Sequence, residues 1–142
     1  MSAYFDTSVL IAAVTEELRT QDARALLMTM MPDGFAVSSW TEAELSAALP
    51  MKVRAGGLAP QDLPKAFRAL DALTGQGAWR IAVRDEDVVS AGALARAAAT
   101  PLRAGDALHI AIARAHGLRL VTFDRDQAKA AQAHGLVAGA PG

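Results

Sequence analysis

The sequence predicts a three-layer α/β/α domain with a central, mainly parallel sheet. Short apolar runs of strand length alternate with longer segments of helical periodicity. The short runs are apolar at nearly every position, as strands are when helices cover both faces of a parallel sheet. With 52% hydrophobic residues in 142 positions and no cysteine, the chain has the composition of one compact domain, 1–142, without disulfides or structural zinc.

Each element follows from its own local pattern. The predicted strands are 3–5, 34–37, 80–83 and 119–123. Helical periodicity, opened by capping or turn residues, predicts the helices 8–15, 20–31, 41–49, 60–73, 85–99, 104–116 and 126–134. The alternation of strands and helices is least clear over 50–77, where Pro50 interrupts the helical register and Gly56 and Gly57 follow. A helical hairpin with a glycine-rich turn is the simpler interpretation, and a flexible wall beside a site or a dimer contact is the alternative.

Composition and charge exclude some classes of protein. The chain does not begin with a basic run before an apolar stretch, and no segment approaches the ~18 uncharged apolar residues of a membrane span. We therefore expect an unprocessed cytoplasmic protein without membrane association. The net charge of −1 argues against a broadly basic nucleic-acid coat, but it does not describe where the charges lie.

Acidic residues fall at the ends of predicted strands or at the starts of helices. The carboxyl ends of parallel strands meet at one edge of a sheet, where ligands of such folds bind, so these side chains are expected to converge. Taken singly, each is also explained as a helix cap or by the helix dipole. Glu42 competes with Glu44, which we favour because it lies one turn from Ala48 on a small-residue face. The four candidates are Asp6, Glu44, Asp106 and Asp124.

Convergence of four carboxylates implies a bound cation, because the groups would otherwise repel and raise each other's pKa. An all-oxygen donor set without zinc-type spacing favours Mg²⁺ or Mn²⁺. One or two ions fit the number of acids. Two ions roughly 3.5–4 Å apart would activate a water and stabilise the leaving oxygen, which is the chemistry of phosphodiester hydrolysis.

Neighbouring polar residues fit a site of this kind. Without the four acids the formal charge of the remainder is +3, and Arg103, Arg125, Lys52 and Arg54 are expected to rim the cleft and contact phosphates. Hydroxyl groups beside the acids are expected to hold the carboxylates, and His109, one turn after Asp106, is interpreted as a packed or hydrogen-bonding residue rather than a catalytic base. Trp40 and Trp79 are interpreted as core or interface anchors. The hydroxyls are those of Thr7, Ser8 and Thr122.

Four segments in series carry a family resemblance. They are FDTSVL at 5–10, SWTEAEL at 39–45, RAGDALHIA at 103–111 and LVTFDRD at 120–126. In order and spacing they resemble the PIN-domain ribonucleases over about 4–136, and the small size resembles the VapC-type toxins of bacterial toxin–antitoxin pairs. The sequence departs from the family at Pro50, Met51 and Lys52, within a stretch that is usually continuous helix.

The resemblance implies a PIN-like fold and a Mg²⁺- or Mn²⁺-dependent endoribonuclease. Its acidic catalytic and metal site would be Asp6, Glu44, Asp106 and Asp124, with Asp126 as an auxiliary. The resemblance also implies an RNA substrate, a homodimer and inhibition by a cognate antitoxin protein.

Besides a non-enzymatic interaction module in which the acids only cap helices, two other classes stay open on the sequence alone. The first is a non-nuclease Mg²⁺-binding regulatory or interaction domain, including a receiver-like domain, although the first strand offers one acid where a receiver would have a pair. The second is a phosphatase with Asp6 as nucleophile, although Ser8 stands where such enzymes usually carry a second aspartate.

Overall fold

A five-stranded parallel sheet forms the middle layer of the structure, a computed structural model that describes residues 2–99 and 101–140. The strands are β1 (Ala3–Phe5), β2 (Phe35–Ser38), β3 (Ala78–Ile81), β4 (Arg119–Val121) and β5 (Ala138–Gly139), in the order β3-β2-β1-β4-β5. The helices are α1 (Thr7–Val14), α2 (Thr20–Met30), α3 (Ser39–Arg54), α4 (Leu63–Gln76), α5 (Asp85–Ala97), α6 (Ala104–Ala115) and α7 (Arg125–Ala133). A 3₁₀ turn, Pro60–Asp62, precedes α4. The predicted domain, 1–142, includes four residues that lie outside the described ones.

Alternation along the strands divides the core into two halves. On one face, Ala3 and Phe5 of β1 pack with buried residues of α1, α2, α3 and α4. On the other face, Tyr4 packs with buried residues of α5, α6 and α7. Because successive side chains of a strand point to opposite faces, a three-residue β1 contributes to both halves. The predicted three-layer α/β/α arrangement is confirmed.

Helix α3 runs through Pro50, so the predicted interruption at that residue is wrong. A proline inside a helix costs about 3 kcal/mol through its missing N–H and its ring contacts. Leu45 and Leu49 are fully buried in the core on the same helix, and their packing keeps the segment helical. After α3, Gly56 adopts φ +82° and the chain returns through α4, which is the helical hairpin that the sequence favoured.

The sheet differs from the predicted one at its two edges. Strand β3 lies two residues earlier than predicted, at Ala78–Ile81, because its register is set by pairing with β2, from Phe35 with Ala78 to Ser38 with Ile81. Strand β5 has two residues and was not predicted. Its pairing with Leu120 and Val121 defines it, since two residues carry no alternation of their own.

Among residues 2–99 and 101–140, none of the helices combines the length and the hydropathy that a bilayer span requires.

Candidate active site

The candidate site lies where the strand order reverses. In the sheet, β2 and β3 lie on one side of β1, and β4 and β5 lie on its other side. The connections after β1 and β4 therefore diverge, and ligands of open parallel sheets bind in the crevice that this leaves at the carboxyl ends of the strands. Asp6 directly follows β1, and Thr122 directly follows β4.

Asp6 is held by three donors and is almost fully buried. Its Oδ1 accepts hydrogen bonds from the Ser8 amide at 3.1 Å and the Ser8 hydroxyl at 2.6 Å. Its Oδ2 lies 2.9 Å from the Thr122 hydroxyl. Burial raises the pKa of Asp6, although His109 and these hydrogen bonds act in the opposite direction. The carboxylate also caps α1, so its structural and chemical roles coincide.

Glu44 is fixed through one of its two oxygens. Thr7 donates its hydroxyl to Oε1 at 2.7 Å, and Nε2 of His109 contacts the same oxygen. Burial alone would raise the pKa of Glu44, but the hydrogen bond and charge of His109, together with Thr7, lower it overall. Residues on opposite faces of the sheet, in α1 and α6, thus orient one carboxylate of α3.

His109 belongs to a buried chain of hydrogen bonds. Its Nδ1 lies 2.7 Å from the hydroxyl of Tyr4, which in turn lies 2.8 Å from the hydroxyl of Ser38. His109 is 1% exposed, so its ring does not reach a substrate in the cleft. It is the hydrogen-bonding residue that the sequence indicated, and its partner is the carboxylate of Glu44.

The carboxylates of Glu44, Asp106, Asp124 and Asp126 line a single cleft of about 490 Å³, which we call the acidic cleft, whereas the buried Asp6 is not among its lining residues. Burial raises the pKa of Asp106, and the charges of Asp124 and Glu44 raise it further, against smaller opposing effects of His109 and Arg103. Asp106 is therefore close enough to both of these carboxylates for their charges to disfavour its ionised form. The residues that line the cleft and carry its chemistry are Trp40, Glu44, Arg103, Asp106, Asp124 and Asp126.

Asp124 caps a helix with one carboxylate oxygen and also lines the acidic cleft. Oδ1 accepts from the amides of Asp126 at 2.9 Å and Gln127 at 3.1 Å, which caps α7. Its own amide donates to the Thr122 hydroxyl at 3.0 Å. The cap holds Asp124 at the cleft without using its second oxygen among the described residues.

The predicted cations do not all reach this cleft. Arg103 lines the cleft. The exposed Arg125 begins α7 and lies in the sequence between Asp124 and Asp126, which both line the cleft. Lys52 and Arg54 do not line it: Lys52 is eight residues beyond Glu44, about 12 Å along the helix, and its ammonium pairs with Glu17 at 2.6 Å. Their predicted contact with RNA would have to occur elsewhere on the surface.

Glu42 points away from the acidic cleft. Its carboxylate pairs with Nε of Arg80 at 2.8 Å on the exposed edge of the sheet. The geometry therefore separates it from Glu44, as the small-residue face of α3 indicated.

Gln127 was not singled out from the sequence. It is 1% exposed; its Oε1 lies 2.7 Å from the Thr122 hydroxyl, and its Nε2 donates to the carbonyl of Asp106 at 3.3 Å. The Thr122 hydroxyl has one proton for two oxygens, those of Gln127 and Asp6. It therefore donates to only one of them at a time. The sequence signals it only as a glutamine in the first turn of a predicted helix.

The donor set of the acidic cleft fits a hard divalent cation. Within the part of the chain that the structure describes, no three His, Asp or Glu side chains already form a metal-binding group. However, the lining carboxylates supply only oxygen ligands, and the pKa of Asp106 is raised by its neighbours. A cation that keeps several of its waters would relieve this repulsion without a complete protein cage.

A parallel three-layer sandwich with carboxylates at the switch point of its sheet has the architecture of a PIN-like domain. Residues 3–133 match the family model described as PIN domain. The chain therefore belongs to the PIN-domain family. A comparison with curated proteins finds no match.

Solved structures share this fold at low sequence identity. The chain is similar to the Mycobacterium tuberculosis toxin VapC20, described as cleaving the sarcin–ricin loop, with 21% identity, a TM-score of 0.71 and coverage of 99% of this chain and 100% of that one. It is also similar to VapBC2 from Rickettsia felis, solved with a fragment of promoter DNA, with 15% identity, a TM-score of 0.72 and the same coverage. A toxin–antitoxin complex from Klebsiella pneumoniae matches at 23% identity and a TM-score of 0.61, covering 88% of this chain and 89% of that one.

Proposed function

We propose that this PIN-domain protein is an endoribonuclease that hydrolyses RNA phosphodiester bonds with a divalent metal ion at the acidic cleft. The observation that carries the proposal is that the carboxylates of Glu44, Asp106 and Asp124 line one open cleft, where the charges of the other two raise the pKa of Asp106 beyond the effect of its burial. Charge repulsion of this kind costs stability in the metal-free protein. The arrangement is explained if a cation and a phosphodiester enter the cleft together.

The residues that would hold Mg²⁺ or Mn²⁺ are the carboxylates of Asp6, Glu44, Asp106 and Asp124, with Asp126 as an auxiliary. The bound ion would supply positive charge that activates an attacking water and stabilises the leaving oxygen. The carboxylates would be oriented by their hydrogen-bond partners, which are Thr7, Ser8, Thr122 and His109. Arg103, which lines the cleft, would contact a phosphate at its rim.

We also propose that the protein is the toxin of a toxin–antitoxin pair and forms a homodimer. The fold-level similarity to toxins and their complexes supports this class. Large apolar side chains on the surface offer area for partner chains. Those at least 48% exposed are Leu18, Met28, Met51, Trp79, Val88, Val89 and Val137.

Cleavage of RNA by Glu44→Gln, beside Glu42→Gln, tests the proposal. Both variants neutralise a glutamate on the same helix, but only Glu44 lines the acidic cleft. We expect Glu44→Gln to lose cleavage and Glu42→Gln to keep it. Full activity in Glu44→Gln would contradict the proposed site.

Two additional measurements separate the rival classes. Calorimetry with Mn²⁺ compares wild type with a triple variant in which Asp6, Glu44 and Asp106 are neutralised to amides. If these acids only cap helices, the affinity for Mn²⁺ will be the same in both proteins; if they form a metal site, the triple variant will lose it. Stable labelling of one aspartate by a small phosphodonor would instead favour a receiver-like domain.

A further inference from the structure

A second cavity adjoins the acidic cleft. It has a volume of about 620 Å³ and lies between the starts of α3 and α6 and one side of α5. We call it the apolar groove, because its lining is almost entirely hydrophobic. Its lining includes Trp40, Val88, Ala91, Gly92, Gly105 and Leu108.

Trp40 and Gly105 line both cavities and so form the ridge between them. The backbone at Gly105 lies directly against the indole: a Cβ there would be 3.1 Å from Cζ2 of Trp40 and 3.2 Å from Oε2 of Glu44. Because Gly105 has no side chain, it leaves room for the indole of Trp40 and the carboxylate of Glu44 between the two cavities. Among the described residues, Nε1 of Trp40 has no hydrogen-bond partner. No hydrogen bond of the indole within the described residues therefore explains its position between the two cavities.

We propose that the apolar groove receives the nucleobase next to the scissile phosphodiester, with Trp40 as its aromatic wall. This inference rests on the proposed nuclease function. A phosphodiester at the carboxylates carries a nucleoside on each side, and the groove continues from the acidic cleft across Trp40 and Gly105. Nucleobases of every type bind by stacking on aromatic side chains, because each has a π-face.

The size and chemistry of the groove suit this occupant. Its volume is within the range of small-molecule sites, about 300–1,000 Å³, and its aliphatic walls, from Val88, Ala91 and Leu108, cover the faces of a planar base. A base must leave its helical stack to enter such a cavity. The protein would therefore cut RNA at an unpaired nucleotide, and the groove would contribute to the choice of base there.

Gly92 provides a test that does not disturb the core. No heavy atom lies within 4 Å of the position that its Cβ would occupy, so Gly92→Leu would fill the groove from the surface of α5. Gly75 in α4 has the same open surroundings and lies outside both cavities. Gly75→Leu is the matched control, since both changes replace a helical glycine with a better helix former.

The first measurement is the fluorescence of Trp40 in a Trp79→Phe background, titrated with adenosine, guanosine, cytidine and uridine. Nucleosides carry no phosphate, so binding is measured without metal or catalysis. We expect saturable quenching by at least one nucleoside and none by ribose. Adding Gly92→Leu should weaken the apparent affinity by about tenfold or more, equivalent to about 1.4 kcal/mol, and Gly75→Leu should not change it.

Two results of this titration would overturn the proposal. One is the absence of saturable quenching by every nucleoside. The other is the same quenching in Gly92→Leu as in its parent. If Gly92→Leu leaves quenching unchanged but alters the mass of the protein in solution, the groove is covered by a second copy of the chain and the proposal is wrong.

The second measurement is cleavage of a short, randomised single-stranded RNA pool, with sequencing of the fragment ends. Wild type should show a base preference beside the cut that Gly92→Leu weakens or changes and Gly75→Leu keeps. An unchanged preference in Gly92→Leu would contradict the role of the groove. Failure of the nuclease proposal can be told apart from failure of the groove proposal. If the protein is not a metal-dependent nuclease, wild type and Asp106→Asn will show no metal-dependent difference in RNA cleavage, whether or not nucleosides quench the fluorescence of Trp40.

Discussion

Thr7 donates its hydroxyl to Oε1 of Glu44 at 2.7 Å, which joins the first turn of α1 to α3 at a carboxylate. His109 contacts the same oxygen from α6, on the opposite face of the sheet. Oε2 is left beside the backbone of Gly105 at the acidic cleft. The protein therefore orients Glu44 before any substrate arrives, and the orientation depends on residues far apart in the sequence.

Thr7→Val should weaken the site without unfolding the protein. Valine keeps the shape of threonine but cannot donate to Glu44. Loss of a partner that orients a metal ligand typically costs 10–100-fold in metal affinity or activity. We expect a loss of this order in the Mn²⁺ affinity measured by calorimetry and in the rate of RNA cleavage.

Thr74→Val is the matched control for this change. The Thr74 hydroxyl bonds to the carbonyl of Leu70 in its own helix, at 3.0 Å. This variant should keep both the Mn²⁺ affinity and the cleavage rate of wild type. Equal values for Thr7→Val and Thr74→Val would show that Thr7 does not position Glu44 for metal binding.

Asp106→Asn should stabilise the metal-free protein at neutral pH. Burial and the charges of Asp124 and Glu44 raise the pKa of Asp106 in the folded state. A group with a raised folded pKa contributes stability below its unfolded pKa, near 3.9, and this contribution is lost as the pH rises through the folded pKa. Replacing the carboxylate with an amide removes the pH-dependent loss.

Thermal melts in chelator, from about pH 4 to pH 7.5, measure this effect. The melting temperature of Asp106→Asn should exceed that of wild type by a few degrees at the upper end, and the difference should shrink towards pH 4. Added Mg²⁺ should raise the melting temperature of wild type more than that of the variant. A difference that does not vary with pH would argue against charge repulsion as its cause.

Gly105→Ala should reduce cleavage by disturbing both Trp40 and Glu44. A Cβ at this position would lie 3.1 Å and 3.2 Å from atoms of these two side chains, closer than ordinary contact. One or both must move, and a small displacement of a reacting group can cost about 100-fold in rate. The variant should fold, as judged by circular dichroism, and show a lower kcat.

Gly75→Ala serves as the control for Gly105→Ala, since its Cβ would meet no atom within 4 Å. Its kcat should equal that of wild type. Wild-type kcat in Gly105→Ala would mean that the close approach of Gly105 to the two side chains is not required.

The fold and the acids could be predicted because their signals are local. Asp6 and Asp124 follow short apolar runs, and such runs are strands of a parallel sheet, so their position at the sheet edge follows from the sequence. Glu44 could be preferred to Glu42 from the small residue one turn away. Strand β5 and the helical path through Pro50 could not be predicted, because pairing with β4 and core packing decide them.

Most of the supporting contacts depend on tertiary packing. Tyr4 and His109 meet across 105 positions of sequence, and Gln127 reaches the carbonyl of Asp106 because α7 lies beside the start of α6. No local pattern encodes such pairs. For the same reason the placement of Lys52 at the rim was wrong: its partner, Glu17, lies in the connection between α1 and α2.

Metal-dependent RNA hydrolysis at the acidic cleft can be tested by cleavage of total RNA, with wild type beside Asp106→Asn, in Mg²⁺, in Mn²⁺ and in excess chelator. We expect discrete fragments from wild type with either metal, none in chelator and none from Asp106→Asn in any condition. Fragments that persist in chelator, or full activity in Asp106→Asn, would contradict a metal-dependent nuclease at this cleft.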